Sequence, residues 1–385
     1  MKKGWQIKRL GEVCILDKVQ DAHVDLPYVG LEHIESNTGR FLGSLDPVTV
    51  KSSTFRFSRE HVLYGRLRPY LNKVLLPDFV GHCSTEIFPL KPNHDLQREF
   101  LFYWLLRDAT VEQIDATSTG ARMPRANITT VLGFEFPLPP LPEQRRIVGI
   151  LDETFEGIAT AKANAEKNLQ NAREIFESHL NEVFAKKGEG WVERKLEDVA
   201  MTFGRGKSKH RPRNEPKLYG GKYPFIQTGD IRNANHFITE HSQTYSEAGL
   251  AQSKLWPKGT ICITIAANIA ETAVLGFDAC FPDSVIGVVA NPREAEVGFI
   301  EYLLQSFKAH IQALGKGSAQ ANINMSTFEN ERFPFPPVAE QRQIVEKLDA
   351  LSAETRRLAA IYSRKLAALE ALKKSLLHQA FAGEL

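Results

Sequence analysis

Cysteine is scarce. The chain has four in 385 residues, Cys14, Cys83, Cys262 and Cys280, far apart and with no CxxC pair. That spacing argues against a disulfide framework or a zinc ribbon and fits a reducing cytoplasm. Long apolar runs are missing too. No window reaches the roughly 18 apolar residues that a membrane-spanning helix needs, and the best, 261–275, is interrupted by Thr264, Asn268 and Glu271. Met1-Lys2-Lys3-Gly4-Trp5 begins like a secretory leader, but Gln6, Lys8, Arg9 and Glu12 stand where an apolar stretch would follow. The expectation is a soluble, cytoplasmic protein without a membrane partner. Charge of one sign is also absent: 48 Lys and Arg face 46 Asp and Glu, for a net charge of +2. Any basic surface must therefore be local.

Catalytic signatures are missing as well. The 11 histidines show no HxxxH or HExxH spacing, so no metal site is expected. No GxGxxG follows a strand pattern, and Gly204-Arg205-Gly206-Lys207-Ser208 does not match the GxxxxGK[ST] phosphate loop. The Asp/Asn-Pro-Pro-aromatic motif with which adenine methyltransferases grip a flipped base does not occur; Asn214-Glu215-Pro216 is not it. Pro77-Asp78 with Glu86 is half of a PD…ExK nuclease pattern, but Phe88 occupies the lysine position. The chain is expected to catalyse nothing and to hold no cofactor of its own.

What is present is a duplication. Composition is ordinary for a globular protein, 43% hydrophobic and 24% charged, and the length implies two or three domains. Pro137-Leu138-Pro139-Pro140-Leu141-Pro142-Glu143-Gln144-Arg145-Arg146-Ile147-Val148 returns 197 positions later as Pro334-Phe335-Pro336-Pro337-Val338-Ala339-Glu340-Gln341-Arg342-Gln343-Ile344-Val345. Phe184-Ala185 and Phe381-Ala382, Gly120 and Gly317, and Pro27-Tyr28-Val29 and Pro224-Phe225-Ile226 keep the same offset. Gly4-Trp5 and Gly190-Trp191 differ by 186, so the second copy carries 11 extra residues between Val199 and Pro224. Two copies of this size are too few and too large for a solenoid. They describe a module made of a head and then a helix.

Each helix is about 40 residues, hence roughly 60 Å long. Apolar or small residues recur near heptad spacing at Ile147, Leu151, Ile158, Ala161, Ala165, Leu169, Ala172, Phe176, Leu180 and Val183, and again at Ile344, Leu348, Leu351, Leu358, Leu369, Leu372 and Leu376, with Thr355, Tyr362 and Lys365 filling the same seam. Pairing of a duplicated unit with itself predicts antiparallel helices; core helices of two unrelated domains are the alternative. The heads read as mixed α and β. Strands are expected at 261–265 and 285–289, and short helices at 100–106 and 297–314. The resulting fold class is α+β: two similar mixed α/β heads, 1–140 and 188–336, each followed by a long helix, 141–187 and 337–385.

Three segments offer DNA-contacting chemistry. Arg205, Lys207, Lys209, Arg211 and Arg213 lie in the insertion with no acidic residue among them and suit phosphates or a guanine edge. In the first head, alternation puts Arg66, Arg68 and Tyr70 on one face of an extended segment ending at Lys73. Arg122 and Arg125 occupy a glycine-marked loop that aligns with the loop of Lys316, Gln320 and Asn322. Solvated loops and structural turns are the plainer readings of all three.

With the doubled Pro-Pro-x-x-Glu-Gln-Arg motif leading into a long helix and the doubled Gly-Trp start, the sequence resembles type I restriction-modification specificity subunits over nearly its whole length. The stretch from Lys207 to Ile231 is similar to one recurring kind of target-recognition domain. The resemblance implies two heads that each read half of an asymmetric, bipartite double-stranded DNA site. It also implies that the helices serve as a ruler and as a docking surface for two modification (methyltransferase) subunits, which hold S-adenosylmethionine, with restriction/translocase subunits completing the complex. A specificity module of another multisubunit restriction system, a DNA methyltransferase, and a scaffold without a DNA role are the readings it competes with.

Overall fold

Strand pairing decides where each head ends. Gln6–Arg9 runs antiparallel to Glu135–Leu138, with Gln6 opposite Leu138. In the second copy Val192–Arg194 pairs with Phe333–Phe335 in the same way. The first and last strands of each head therefore meet, and the chain leaves that junction through a pair of prolines into a helix. The computed structural model describes residues 4–20, 25–120, 122–210, 212–266, 269–315, 323 and 325–385.

The chain divides into two units: one runs to Lys167 and takes up Tyr362–Leu385, and the other is Asn168–Ile361. The division cuts both long helices rather than falling at their ends. In the first unit, the head packs on helix α1 (Arg98–Leu105) and on the opening half of α2 (Leu141–Ala185). In the second, α3 (Val297–Ser306) and the opening half of α4 (Val338–Ala382) play those parts.

The first unit holds a four-stranded sheet ordered Cys14–Leu16, Ile87–Pro92, Val62–Gly65, Val74–Leu75, and a three-stranded sheet of Tyr28–Val29, Gly81–Ser84 and Thr54–Phe57. Its main core gathers Val62, Phe88, Phe100, Trp104 and Phe136 with Ile147 and Leu151 of α2 and Leu377, Ala380 and Phe381 of α4. The Phe381 ring lies 4.7 Å from Phe100. Antiparallel pairing follows from Lys162 Nζ, 2.6 Å from Glu370, and from Arg146, which donates to the Leu385 carbonyl.

The second unit holds a five-stranded sheet ordered Ala200–Arg205, Val285–Ala290, Ile261–Thr264, Thr272–Leu275, Phe237–Ile238, and a four-stranded sheet containing Tyr219–Phe225. Its main core repeats the plan, with Leu180 and Phe184 of α2 and Leu348 of α4 against Phe299 and Leu303.

Two expectations are corrected. The helix read over 297–314 is two helices, Val297–Ser306 and Lys308–Gly315, divided where Phe307 packs its ring 5.4 Å from Phe333. The heptad seam of α4 does not hold to its end, since Lys365 is exposed and Leu372 is 46% exposed. Lys373 takes the inward place, its ammonium over the Phe155 ring and donating to the Asn37 carbonyl. A straight helix drifts about 20° per heptad against a 3.5-residue repeat, which rotates such a seam off its line. No helix among the described residues is long and apolar enough to cross a membrane.

Candidate DNA interface

The first-head segment is not an extended strand beyond Gly65. Arg68 adopts a left-handed conformation (φ +52), Pro69–Leu71 forms a 3-10 turn, and Asn72 is left-handed again. Alternation therefore does not order Arg66, Arg68 and Tyr70. The turn still leaves Arg68 and Tyr70 exposed. Lys73 points elsewhere: its ammonium donates to the carbonyls of Leu31 (2.7 Å) and Ile34 (2.8 Å), so it buttresses the head.

The loop carrying Arg122 and Arg125 folds back onto this turn. Arg68 N donates to Pro124 O (2.7 Å) and Ala126 N to Arg66 O (2.9 Å). Two stretches that look separate in sequence thus form one surface bearing Arg66, Arg68, Arg122 and Arg125. At its centre is Glu86, whose carboxylate accepts from Arg125 Nε (3.0 and 3.1 Å), pairs with Arg125 Nη2 (3.0 Å) and lies 3.9 Å from Arg66 Nε. That hydrogen-bonded pair raises the Arg125 pKa above its ordinary value. Arg66 also lies over the Phe88 ring at 5.3 Å, and its Nε is buried without a hydrogen-bond acceptor among the described residues.

In the second head, Arg205 ends the strand Ala200–Arg205 rather than opening a loop. Gly206 follows because a Cβ there would run into the carbonyls of Phe281 and Pro282. Beyond it, Lys207 and Lys209 are exposed while the loop is pinned by Ser253 Oγ donating to Lys207 O and by His210 N donating to Gln252. Lys254 sits with its ammonium 3.6 Å from the Trp256 ring, and burial, then the charge of Lys207, lowers its pKa. Arg213 donates to both Asp283 carboxylate oxygens (2.8 and 3.0 Å), and Arg205 Nε donates to the Asp283 carbonyl (2.7 Å). Arg211, Lys316, Gln320 and Asn322 lie outside the described residues; within that last loop Ile323 N donates to Ile265 O.

Sequence reasoning missed both acids. Glu86 drew notice only as half of a nuclease pattern, whose missing lysine position, Phe88, is a buried core residue. Glu86 and Asp283 are 197 positions apart, the offset of the repeat, and that coincidence was the available signal. The Gln of the doubled motif also has a structural part. Gln144 and Gln341 are fully buried. Gln144 accepts from Gln97 N and donates to Asp95 O and Pro139 O, while Gln341 accepts from Glu296 N and donates to Glu294 O and Pro336 O. Each latches the start of a long helix to the N-terminus of the head's own helix. The cysteines are reduced and buried, and burial pushes the Cys14 and Cys83 thiols up to about 12. Among the described residues no group of three His, Cys, Asp or Glu is placed to hold a metal.

A family model described as the type I restriction modification DNA specificity domain matches residues 2–170 and again 188–363. The EcoDI specificity subunit of Escherichia coli is 27% identical over 186 residues, 47% of this chain and 41% of that protein. The putative MjaX specificity subunit of Methanocaldococcus jannaschii is 24% identical over 348 residues, 85% of this chain and 76% of that protein. Thus the match spans under half of the Escherichia coli relative. Among solved structures, a chain from work on complex assembly and conformational transition of the type I R-M system aligns with a TM-score of 0.85 and 25% identity, covering 100% of this chain and 99% of that one. The HsdS subunit from Thermoanaerobacter tengcongensis shares the fold, with a TM-score of 0.67, 24% identity, and 100% and 98% coverage.

Proposed function

Because the chain belongs to the type I restriction-modification DNA specificity family, with one family match on each head, we propose that it reads an asymmetric, two-part double-stranded DNA site, one half with each head. The observation that carries this reading is the pair of unlike arginine clusters on like scaffolds. The first head presents Arg66, Arg68, Arg122 and Arg125 from a turn and a loop, and the second presents Arg205, Lys207, Lys209 and Arg213 from an insertion that the first lacks. Unlike readers on a duplicated frame favour a target whose halves differ. Phosphate contacts from the exposed cations supply position and salt-sensitive affinity, and arginine forks at base edges supply sequence.

The chain recognises and does not react. Methyl transfer would belong to two modification subunits carrying S-adenosylmethionine, and cleavage to restriction/translocase subunits, all assembled on this chain.

Long-read methylome mapping in cells expressing the chain with its modification subunit tests the reading. The expected result is one methylated motif with two different half-sites and a spacer of fixed length. A palindromic motif, or a methylation pattern that is the same without the chain, overturns it. The purified chain alone should transfer no methyl group.

A further inference from the structure

Each head holds an acid where a DNA-binding surface ought to avoid one. Glu86 stands beside the strand Ile87–Pro92, and Asp283 at the matching place before Val285–Ala290. Their cations come from different parts of the chain. Glu86 gathers Arg125, whose counterpart at the repeat offset is Asn322, and Arg66, whose counterpart is Ile263. The Asp283 carboxylate instead holds Arg213 of the insertion, while Arg205 donates to its backbone carbonyl. The acid has kept its place while the arginines it holds arrive by another route.

Stability is a poor account of these pairs. The Glu86 and Asp283 side chains are 29% and 38% exposed, and the Arg125 and Arg213 partners 37% and 48%. Ion pairs in such settings add little to folding because water screens them and two long side chains must be ordered. Geometry suits another role. Glu86 engages Arg125 side-on through Nε and Nη2, and Arg213 uses Nη2 alone, so each guanidinium keeps donors on its outer edge while its rotamer is held. Ordering a side chain before binding lowers the entropy lost on binding. A carboxylate in this position also repels any phosphate that approaches out of register, which weakens wrong complexes more than right ones.

We propose that Glu86 and Asp283 are positioning residues for sequence discrimination, one for each half-site: the Glu86 carboxylate holds Arg125 and the Asp283 carboxylate holds Arg213 for base reading, and each penalises non-cognate DNA. The inference rests on the DNA-reading function proposed above.

The test uses the full chain assembled with its modification subunits, and fluorescence anisotropy with three kinds of duplex across a salt series. These are the methylome-defined target, targets with either half-site scrambled, and a random duplex. Glu86→Gln is expected to reduce discrimination against one scrambled half-site by about tenfold, within the range of about 1–3 kcal/mol for a good base contact, and to leave the other unchanged. Asp283→Asn should affect the opposite half-site. Both should tighten random-duplex binding severalfold with no change in salt slope, since no phosphate contact is removed, and Glu86→Asp should restore part of the lost discrimination. A merely structural pair would lower binding to all duplexes alike. That outcome, or discrimination equal to the unsubstituted complex, overturns the proposal while DNA reading stands. If the unsubstituted complex itself does not discriminate, DNA reading has failed and the proposal with it.

Discussion

At one position the two copies solve the same backbone problem differently. Gly39 and His236 occupy matching places, and both are left-handed, at φ +77 and +69. Glycine takes that conformation without strain, and at Gly39 a Cβ would collide with the Phe102 ring. In the second copy the residue facing this point is Glu301, fully buried, which accepts from His236 Nδ1 at 2.7 Å, from Thr272 and from Gln305. His236 also stacks on Tyr302 at 4.8 Å. One residue further along each helix the copies agree again: Tyr103 bonds Asp152 and Tyr302 bonds Asp349, and burial followed by that hydrogen bond pushes both phenols above their ordinary range. The junction with the long helix is shared, and the side turned toward the head's loops has diverged from an apolar plug to a polar network.

Substitutions can break or sharpen that contrast. Glu301→Ala should have the largest effect, about 3 kcal/mol of lost stability by urea unfolding, because it strands a buried His236 together with the Thr272 and Gln305 donors. A cost under about 1 kcal/mol would mean that the network is no tighter than the apolar plug it replaces. Gln144→Ala and Gln341→Ala should each cost about 2 kcal/mol, and nearly the same amount, since each leaves one amide and two carbonyls without a partner. Unequal costs would show that the latches are alike in geometry only. Lys162→Gln, which removes the exposed pair with Glu370, should cost about 0.5 kcal/mol or less, and that little should vanish in high salt.

Much of the frame was legible in the sequence because repetition is a strong signal. The doubled motif located both long helices, and apolar runs located the strands at Ile261–Thr264 and Val285–Ala290. The turn at Arg68 escaped because alternation says nothing of a left-handed non-glycine residue, and the break at Phe307 escaped because no proline or glycine marks it. At the interface, the cations were visible as residue types. Their grouping was not, because hydrogen bonds from Arg68 to Pro124 and from Ala126 to Arg66 join stretches that lie dozens of residues apart. The partners of Lys73 are not legible for the same reason, since its acceptors at Leu31 and Ile34 are remote in the chain.

The way each core borrows from the far end of the chain bears on the order of synthesis. Phe100 is made long before its partner Phe381, whereas Phe299 finds Phe184 already in existence. Contacts this distant in sequence slow folding. The first head, although it is made earlier, therefore completes its core only once the second long helix has also been made.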